Sequence, residues 1–183
     1  VLRMATTRMA GATRMVSVSL GLDPRDFRLF AFGGAGPLHA SALAGELGVP
    51  EVLVPARPGI TNALGCIVAD LRHDFVRTVN TPLDAMDIDR LGEMLSSQAA
   101  EGEALIRQEP VRIERIEVTH SLDMQFAGQT HLLQVPLASA SMTAVDIKAT
   151  FEEVYFNRFR VRLPEIRAQI VNVNTSVTGC RPE

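Results

Sequence analysis

The chain has no tryptophan, a single tyrosine, two cysteines and one lysine, Lys148, among its 18 basic residues. Cys66 and Cys180 make neither a C-x-x-C pair nor any metal-ligand spacing, which excludes a zinc module and a disulfide framework. They read as two buried free thiols in a reducing, cytoplasmic compartment, with a single disulfide as the other arrangement the count allows. Long apolar runs are also missing. Leu29–Phe32 and Cys66–Ala69 are far short of the roughly 20 residues a membrane helix needs. The 13 glycines and 10 prolines are scattered, which excludes collagen-like and low-complexity chains. The net charge is −3 and the arginines are dispersed. A nucleic-acid scaffold, with a basic stripe, is therefore not expected. The shortage of lysine reads as a composition bias of the genome.

What is present is an ordinary globular balance over 183 residues, 46% hydrophobic and 21% charged. That length makes one large domain or two small ones. Val1–Leu22 carries Arg3, Arg8 and Arg14 and no acid, the composition of a transit peptide. The favoured reading is an amphipathic helix with Leu2, Ala5, Met9, Ala12 and Val16 on one stripe. Met4, Met9 and Met15 on that helix read as core filling. An opening Val in place of Met fits a piece of a longer protein.

The first half alternates helix and strand. A helix over 3–20 stops near Gly21. Arg28–Phe32 reads as a strand, 38–47 as a helix stopped at Gly48, Glu51–Val54 as a second strand, and 61–71 as a helix of small residues. His73–Val79 reads as extended. Strand, helix and strand with short loops predict a parallel βαβ unit. Thr81-Pro82 and Asp84, Asp87 and Asp89 mark a change of pattern. A helix over 87–107 follows, with Ile88, Leu91, Leu95, Gly102 and Leu105 on one side, then a strand-like Val111–His120. Leu122, Met124 and Phe126 alternate with polar neighbours, and Ala127-Gly128-Gln129 turns into His131–Pro136. Residues 143–159 are helical, with Ile147, Phe151, Val154 and Phe159 inward. The last strand, Gln169–Thr178, alternates Val171, Val173, Thr175 and Val177. The fold class expected is α/β over 1–79, followed by a smaller α+β domain over 80–183.

The strongest chemical signal is Gly33-Gly34-Ala35-Gly36-Pro37 between a strand and a helix. Residues without Cβ let a ligand approach the backbone, and a helix start presents N–H groups to an anion. Pro37 suits the first helical turn. The run is not a dinucleotide fingerprint, because His39 stands where a third Gly belongs, and no Gly-Lys-Ser/Thr follows. A nicotinamide site also lacks its acidic residue, since Glu51 opens its strand. Tight packing of helix on strand is the plain alternative for these glycines.

Several separated blocks resemble the hydantoinase A / 5-oxoprolinase family in that family's order: Phe27–Ala44 (FRLFAFGGAGPLHASALA), Gly48–Pro55 (GVPEVLVP), Pro58–Leu71 (PGITNALGCIVADL), Leu122–Pro136 (LDMQFAGQTHLLQVP) and the final PEIRAQIVNVNTSVTG. The resemblance covers nearly the whole chain. It implies an ATPase lobe of the actin/Hsp70 type, of which residues 1–79 are the C-terminal part. In such a lobe the Gly-rich turn contacts the adenosine portion of ATP, which is carried here only onto Gly33, Gly34, Ala35 and Gly36. It further implies ATP and Mg²⁺ as cofactors, a small cyclic amide substrate, a hydantoinase B-type partner subunit, and kinship with acetone carboxylase subunits. The family's Asp-x-Gly-Gly-Thr phosphate loops occur nowhere in these residues. Tyr155–Arg160 (YFNRFR) departs from the family's His and Tyr-Gly pattern. The expectation is a C-terminal fragment of an ATP-dependent cyclic amide hydrolase, inactive alone and lacking its N-terminal half. Residues 80–183 as a subunit-docking module are the alternative. Self-association through an uncovered face of helix 3–20 is expected of such a fragment, and neither nucleic acid nor membrane is an expected partner.

The remaining candidates carry less. His39 holds the turn or approaches the nucleotide. Adjacent His73 and Asp74 on a strand point to opposite faces, as do His120 and Asp123. His131 belongs to the hairpin. Asp70 and Asp74 read as a solvated helix end near Arg72 and Arg77, with a paired-carboxylate site as the sharper alternative. Ser41 lies in no nucleophile elbow.

Overall fold

A computed structural model describes residues 2–182. The chain divides into two compact units between Ala69 and Asp70.

The first unit contains α1 (Leu2–Ser19), β1 (Arg28–Phe30), α2 (Gly36–Leu47), β2 (Glu51–Leu53) and α3 (Thr61–Val68). β1 and β2 pair in parallel, Arg28 opposite Glu51 and Phe30 opposite Leu53, with α2 as the crossover. This is the expected βαβ unit. Gly21 ends α1 and Gly48 ends α2, both with φ above +70°, the left-handed stop that glycine adopts without a Cβ clash. The packed line on α1 differs from the expected stripe. Thr6 and Ala10 are buried, while Leu2 and Val16 are exposed. α1 meets α2, whose buried residues are Ala40, Ala44 and Leu47. Small residues let two helix backbones approach closely, so the helix turns Thr6 and Ala10 inward. Arg14 donates to the Glu46 carbonyl, and Thr7 Oγ1 to Glu46 Oε2 at 3.4 Å.

The second unit contains β3 (Leu71–Pro82), α4 (Ile88–Gln108), β4 (Arg115–Phe126), β5 (Leu133–Leu137), α5 (Ala144–Phe159) and β6 (Ala168–Cys180). The four strands form one antiparallel sheet in the order β3-β6-β4-β5. The boundary expected at 79/80 therefore moves to 69/70. Residues 71–82 pair with β6 from Leu71–Gly179 to Pro82–Gln169, and a strand belongs with the sheet that satisfies its backbone groups. The expected Val111–His120 strand and the alternating stretch after it are one strand, β4.

One face of the sheet builds the core. Leu122, Met124 and Phe126 of β4 join Val135, Ile170 and Val173 of the neighbouring strands, Leu91 and Leu95 of α4, and Ile147, Phe151 and Tyr155 of α5. Asp87 caps α4 by accepting from Asp89 N and Arg90 N at 3.0 and 3.1 Å. Thr143 and Asp146 form a reciprocal capping box on α5. The other face is polar. Asp123 accepts from Asn172 Nδ2 at 2.9 Å, Asn172 Oδ1 accepts from Thr78 at 2.8 Å, and Arg72 donates to Asp74 at 2.9 Å.

Candidate functional site at the glycine turn

The turn begins where the parallel ladder ends. Ala31 N–H donates to the Leu53 carbonyl at 2.9 Å, one residue past β1. Ala31 is buried and Phe32 is exposed. Gly33 takes φ +85°, which carries a steric penalty for any residue with a Cβ. Its N–H is spent on the Pro58 carbonyl at 2.7 Å. Ala35 precedes α2 without a side-chain cap, and proline fills its first turn. With Gly33 N–H engaged and Pro37 lacking one, the turn offers few of the donors that cradle phosphates.

The turn does offer bare backbone. A Cβ built on Gly33 or Gly34 would meet no atom within 4 Å, and one on Gly36 would touch only the Ala31 carbonyl carbon at 3.7 Å. Tight packing of helix on strand therefore does not explain Gly33 and Gly34. The backbone they leave is open to a ligand's approach.

The other candidates disperse. His39 stays half-buried in the first turn of α2. His73 pairs opposite Val177, and Asp74 opposite Ser176, on different faces of β3. Asp70 and Asp74 lie at the start of a strand instead of a helix end. Asp70 accepts from Arg181 N at 2.8 Å. Arg72 and Ser176 both donate to Asp74 and hold its carboxyl below the usual carboxylate range. These are structural engagements, so the paired-carboxylate alternative finds no support. The His131 ring lies 5.7 Å from that of Phe159. Cys180 is buried, but Cys66 is exposed, against the expectation of two buried thiols. Among the described residues no three His, Cys, Asp or Glu gather to hold a metal ion. Mg²⁺ thus has no ligand set among the described residues. None of the described helices is long and apolar enough to cross a membrane.

A cavity of about 270 Å³ in the second unit is lined by Leu83, Val145, Lys148 and Ile166 and bordered by the Asp84–Arg167 ion pair. It contains none of the expected site residues. Sequence reasoning also missed a polar chain from buried Gln98 and Thr175 to half-buried His120. Its signal was Gln98 standing on the helical stripe of Leu91, Leu95 and Gly102.

Residues 1–75 match the family model described as Hydantoinase/oxoprolinase. The chain belongs to the hydantoinase/oxoprolinase family. The alpha subunit of caprolactamase from Pseudomonas jessenii is 30% identical over 97% of this chain and 26% of its own length. The acetone carboxylase beta subunit of Xanthobacter autotrophicus is 30% identical over 87% of this chain and 23% of its own. The crystal structure of the ATP-dependent caprolactamase from Pseudomonas jessenii superposes with a TM-score of 0.73 at 28% identity, covering 100% of this chain and 28% of that one. The chain thus spans about a quarter of the length of these relatives.

Proposed function

We propose that Gly33, Gly34, Ala35 and Gly36 form the adenosine-facing half of an ATP site in an actin-like lobe of a cyclic amide hydrolase. The observation that carries this reading is the open, Cβ-free surface at Gly33 and Gly34, which packing within the chain does not require. The ATP-dependent relative of similar fold supports it. ATP, when bound, would transfer its terminal phosphoryl group to the carbonyl oxygen of the substrate with release of ADP, and so activate the carbonyl carbon toward water and ring opening. The residues of this chain bind and orient. Gly33 fixes the turn through its left-handed φ and its bond to Pro58. Gly34 keeps the surface bare, and Pro37 starts α2 behind it. The phosphate and Mg²⁺ loops come from polypeptide outside these 183 residues, and the chain alone does not turn over.

Calorimetry with ATP and Mg²⁺ tests the reading beside Gly34→Val. Saturable binding that the variant loses supports it. Equal binding by both proteins, or none by a folded chain, removes the glycine turn as an independent half-site. Hydrolysis by the chain alone, lost with Gly34→Val, contradicts its being inactive.

A second reading concerns assembly and has its own observation. Most exposed large apolar side chains lie before Ala69, among them Phe30, Phe32, Leu53, Leu64, Ile67 and Val68. β2 and α3 bury no residue. On this reading the first unit, more than residues 80–183, is what further family polypeptide covers. A hydantoinase B-type subunit is the partner that relatives named as subunits suggest. Exposed Met4, Met15, Val16 and Val18 on α1 would drive self-association of the isolated chain. Light scattering that finds only monomer at high concentration would count against it.

A further inference from the structure

A line of polar groups crosses the second unit where α4 lies on the sheet. Gln98 and Thr175 are 8% and 1% exposed. Gln98 Nε2 faces the Val173 carbonyl at 3.5 Å, Thr175 Oγ1 donates to Gln98 Oε1 at 2.7 Å, and His120 Nδ1 lies 2.9 Å from Thr175 Oγ1. The direction of this line is fixed from one end. A backbone carbonyl only accepts, so the amide nitrogen must face Val173. Turning the amide over would set the Gln98 and Val173 oxygens against each other and lose that bond. Gln98 Oε1 then takes the single hydroxyl proton of Thr175. The Thr175 oxygen has only lone pairs left for His120, and Nδ1 must supply the hydrogen.

We propose that Gln98, Thr175 and His120 form a one-way hydrogen-bond relay that locks His120 as the Nδ1–H tautomer and latches α4 to the middle of the sheet. The relay spans three elements, α4, β6 and β4, through side chains alone. It leaves His120 Nε2 as a lone-pair acceptor. A second proton there would keep every bond of the relay but charge a half-buried ring. Burial already favours the neutral ring and lowers its pKa; among the described residues, no charged group on α4, β5 or β6 contributes to that shift.

Ring ¹⁵N–¹H correlation spectra of the labelled chain at neutral pH read the tautomer directly. The expected result is hydrogen on Nδ1 and a bare Nε2 at His120, opposite to the preference of a free imidazole side chain. Gln98→Leu removes the acceptor of the Thr175 proton, which can then turn toward His120, and the tautomer reverses to Nε2–H. A wild-type ring protonated at Nε2, or a mixture of both forms, overturns the relay. So does an unchanged Nδ1–H in folded Gln98→Leu. If that variant does not fold, Thr175→Val takes its place: it removes the partner of Nδ1, and the lock must be lost.

Discussion

Gly102 of α4 lies so close to Val177 of β6 that a Cβ built on it would come within 2.5 Å of Val177 Cγ2, and within 2.9 Å of Phe75 Cε2. The helix approaches the sheet at this point because the residue has no side chain. Gly102→Ala therefore forces α4 outward or Val177 and Phe75 aside, an overpacking cost of about 1–3 kcal/mol. Gly34→Ala adds the same methyl to open space and changes stability by less than about 0.5 kcal/mol. Urea unfolding of the two variants checks the contrast. Equal losses would mean that close approach is not what glycine serves at position 102.

The half-buried imidazole of His120 makes the second unit sensitive to acid. His120 has its pKa lowered below the ordinary 6.5 by burial, so the folded state binds its proton less well than the unfolded chain does. The sign follows from that difference. The stability held by the neutral ring is present above pH 6.5 and is lost as pH falls through the unfolded value toward the folded one. His120→Asn keeps an N–H donor for Thr175 and removes the titration. Unfolding free energies between pH 5 and about 8 should decline toward acid in the wild type and flatten in the variant. A parallel decline in both would remove His120 as the cause. Asp74 acts in a lower window: its lowered pKa makes its contribution disappear only as the carboxylate protonates.

The start of α5 rests on one hydroxyl. Thr143 Oγ1 accepts from Asp146 N at 3.2 Å and donates to Asp146 Oδ2 at 2.6 Å, and Asp146 accepts back from Thr143 N at 3.2 Å. Thr143→Ala removes two of these three bonds and costs about 1 kcal/mol. It also lets the Asp146 pKa rise toward the ordinary carboxylate value, since the Thr143 hydroxyl is the largest cause of its lowering. Thr143→Ser keeps the hydroxyl, and with it both the cap and the lowered Asp146 pKa. A carboxyl titration by NMR together with thermal unfolding of the pair measures them.

Local patterns read the elements well and their pairing less well. Leu122, Met124 and Phe126 alternate in sequence and are all buried, because β4 runs regularly over that stretch. The alternation of Val171 with Val173 in β6 misleads. Between Asn172 and Ile170 the register slips against both neighbours, β4 passing from Asp123 to Met124 and β3 from Thr78 to Thr81. Ile170 and Val173 consequently both face the core, while Val171 does not. Asn80, at φ +48° with its side chain accepting from Gln169 at 2.7 Å, completes the bulge. A bulge belongs to the pairing of strands, so no period within one strand announces it. The same reason hid the boundary at Ala69: His73–Val79 reads as a strand from its residues, but only β6, a hundred positions later, decides its sheet. On α1 the expected stripe of Leu2, Ala5, Met9, Ala12 and Val16 leaves out Thr6 and Ala10, the two residues that are buried. At the glycine turn, Gly33 through Gly36 stood out in sequence. Which of those glycines are free of internal packing became visible only in three dimensions.

Phe126, Phe151, Tyr155 and Phe159 separate packing from hydrogen bonding within one cluster. The Phe126 ring lies 4.8 Å from Phe151 and 4.7 Å from Tyr155, and Tyr155 lies 4.7 Å from Phe159. Phe151 is fully buried, so Phe151→Ala leaves a cavity beneath α5 and costs about 3–5 kcal/mol. Tyr155 also donates its hydroxyl to Gln129 Oε1 at 3.1 Å, tying the end of α5 to the turn between β4 and β5. Tyr155→Phe keeps the ring and removes only that bond, at about 0.5–1.5 kcal/mol. The smaller loss should appear as faster amide exchange around Ala127–Gln129, with little change at the centre of β4. The larger should weaken protection along β4, β5 and α5 together, because those elements share the cluster. If Tyr155→Phe proves as costly as Phe151→Ala, the hydroxyl, and not the ring stack, would be what holds α5 on the sheet.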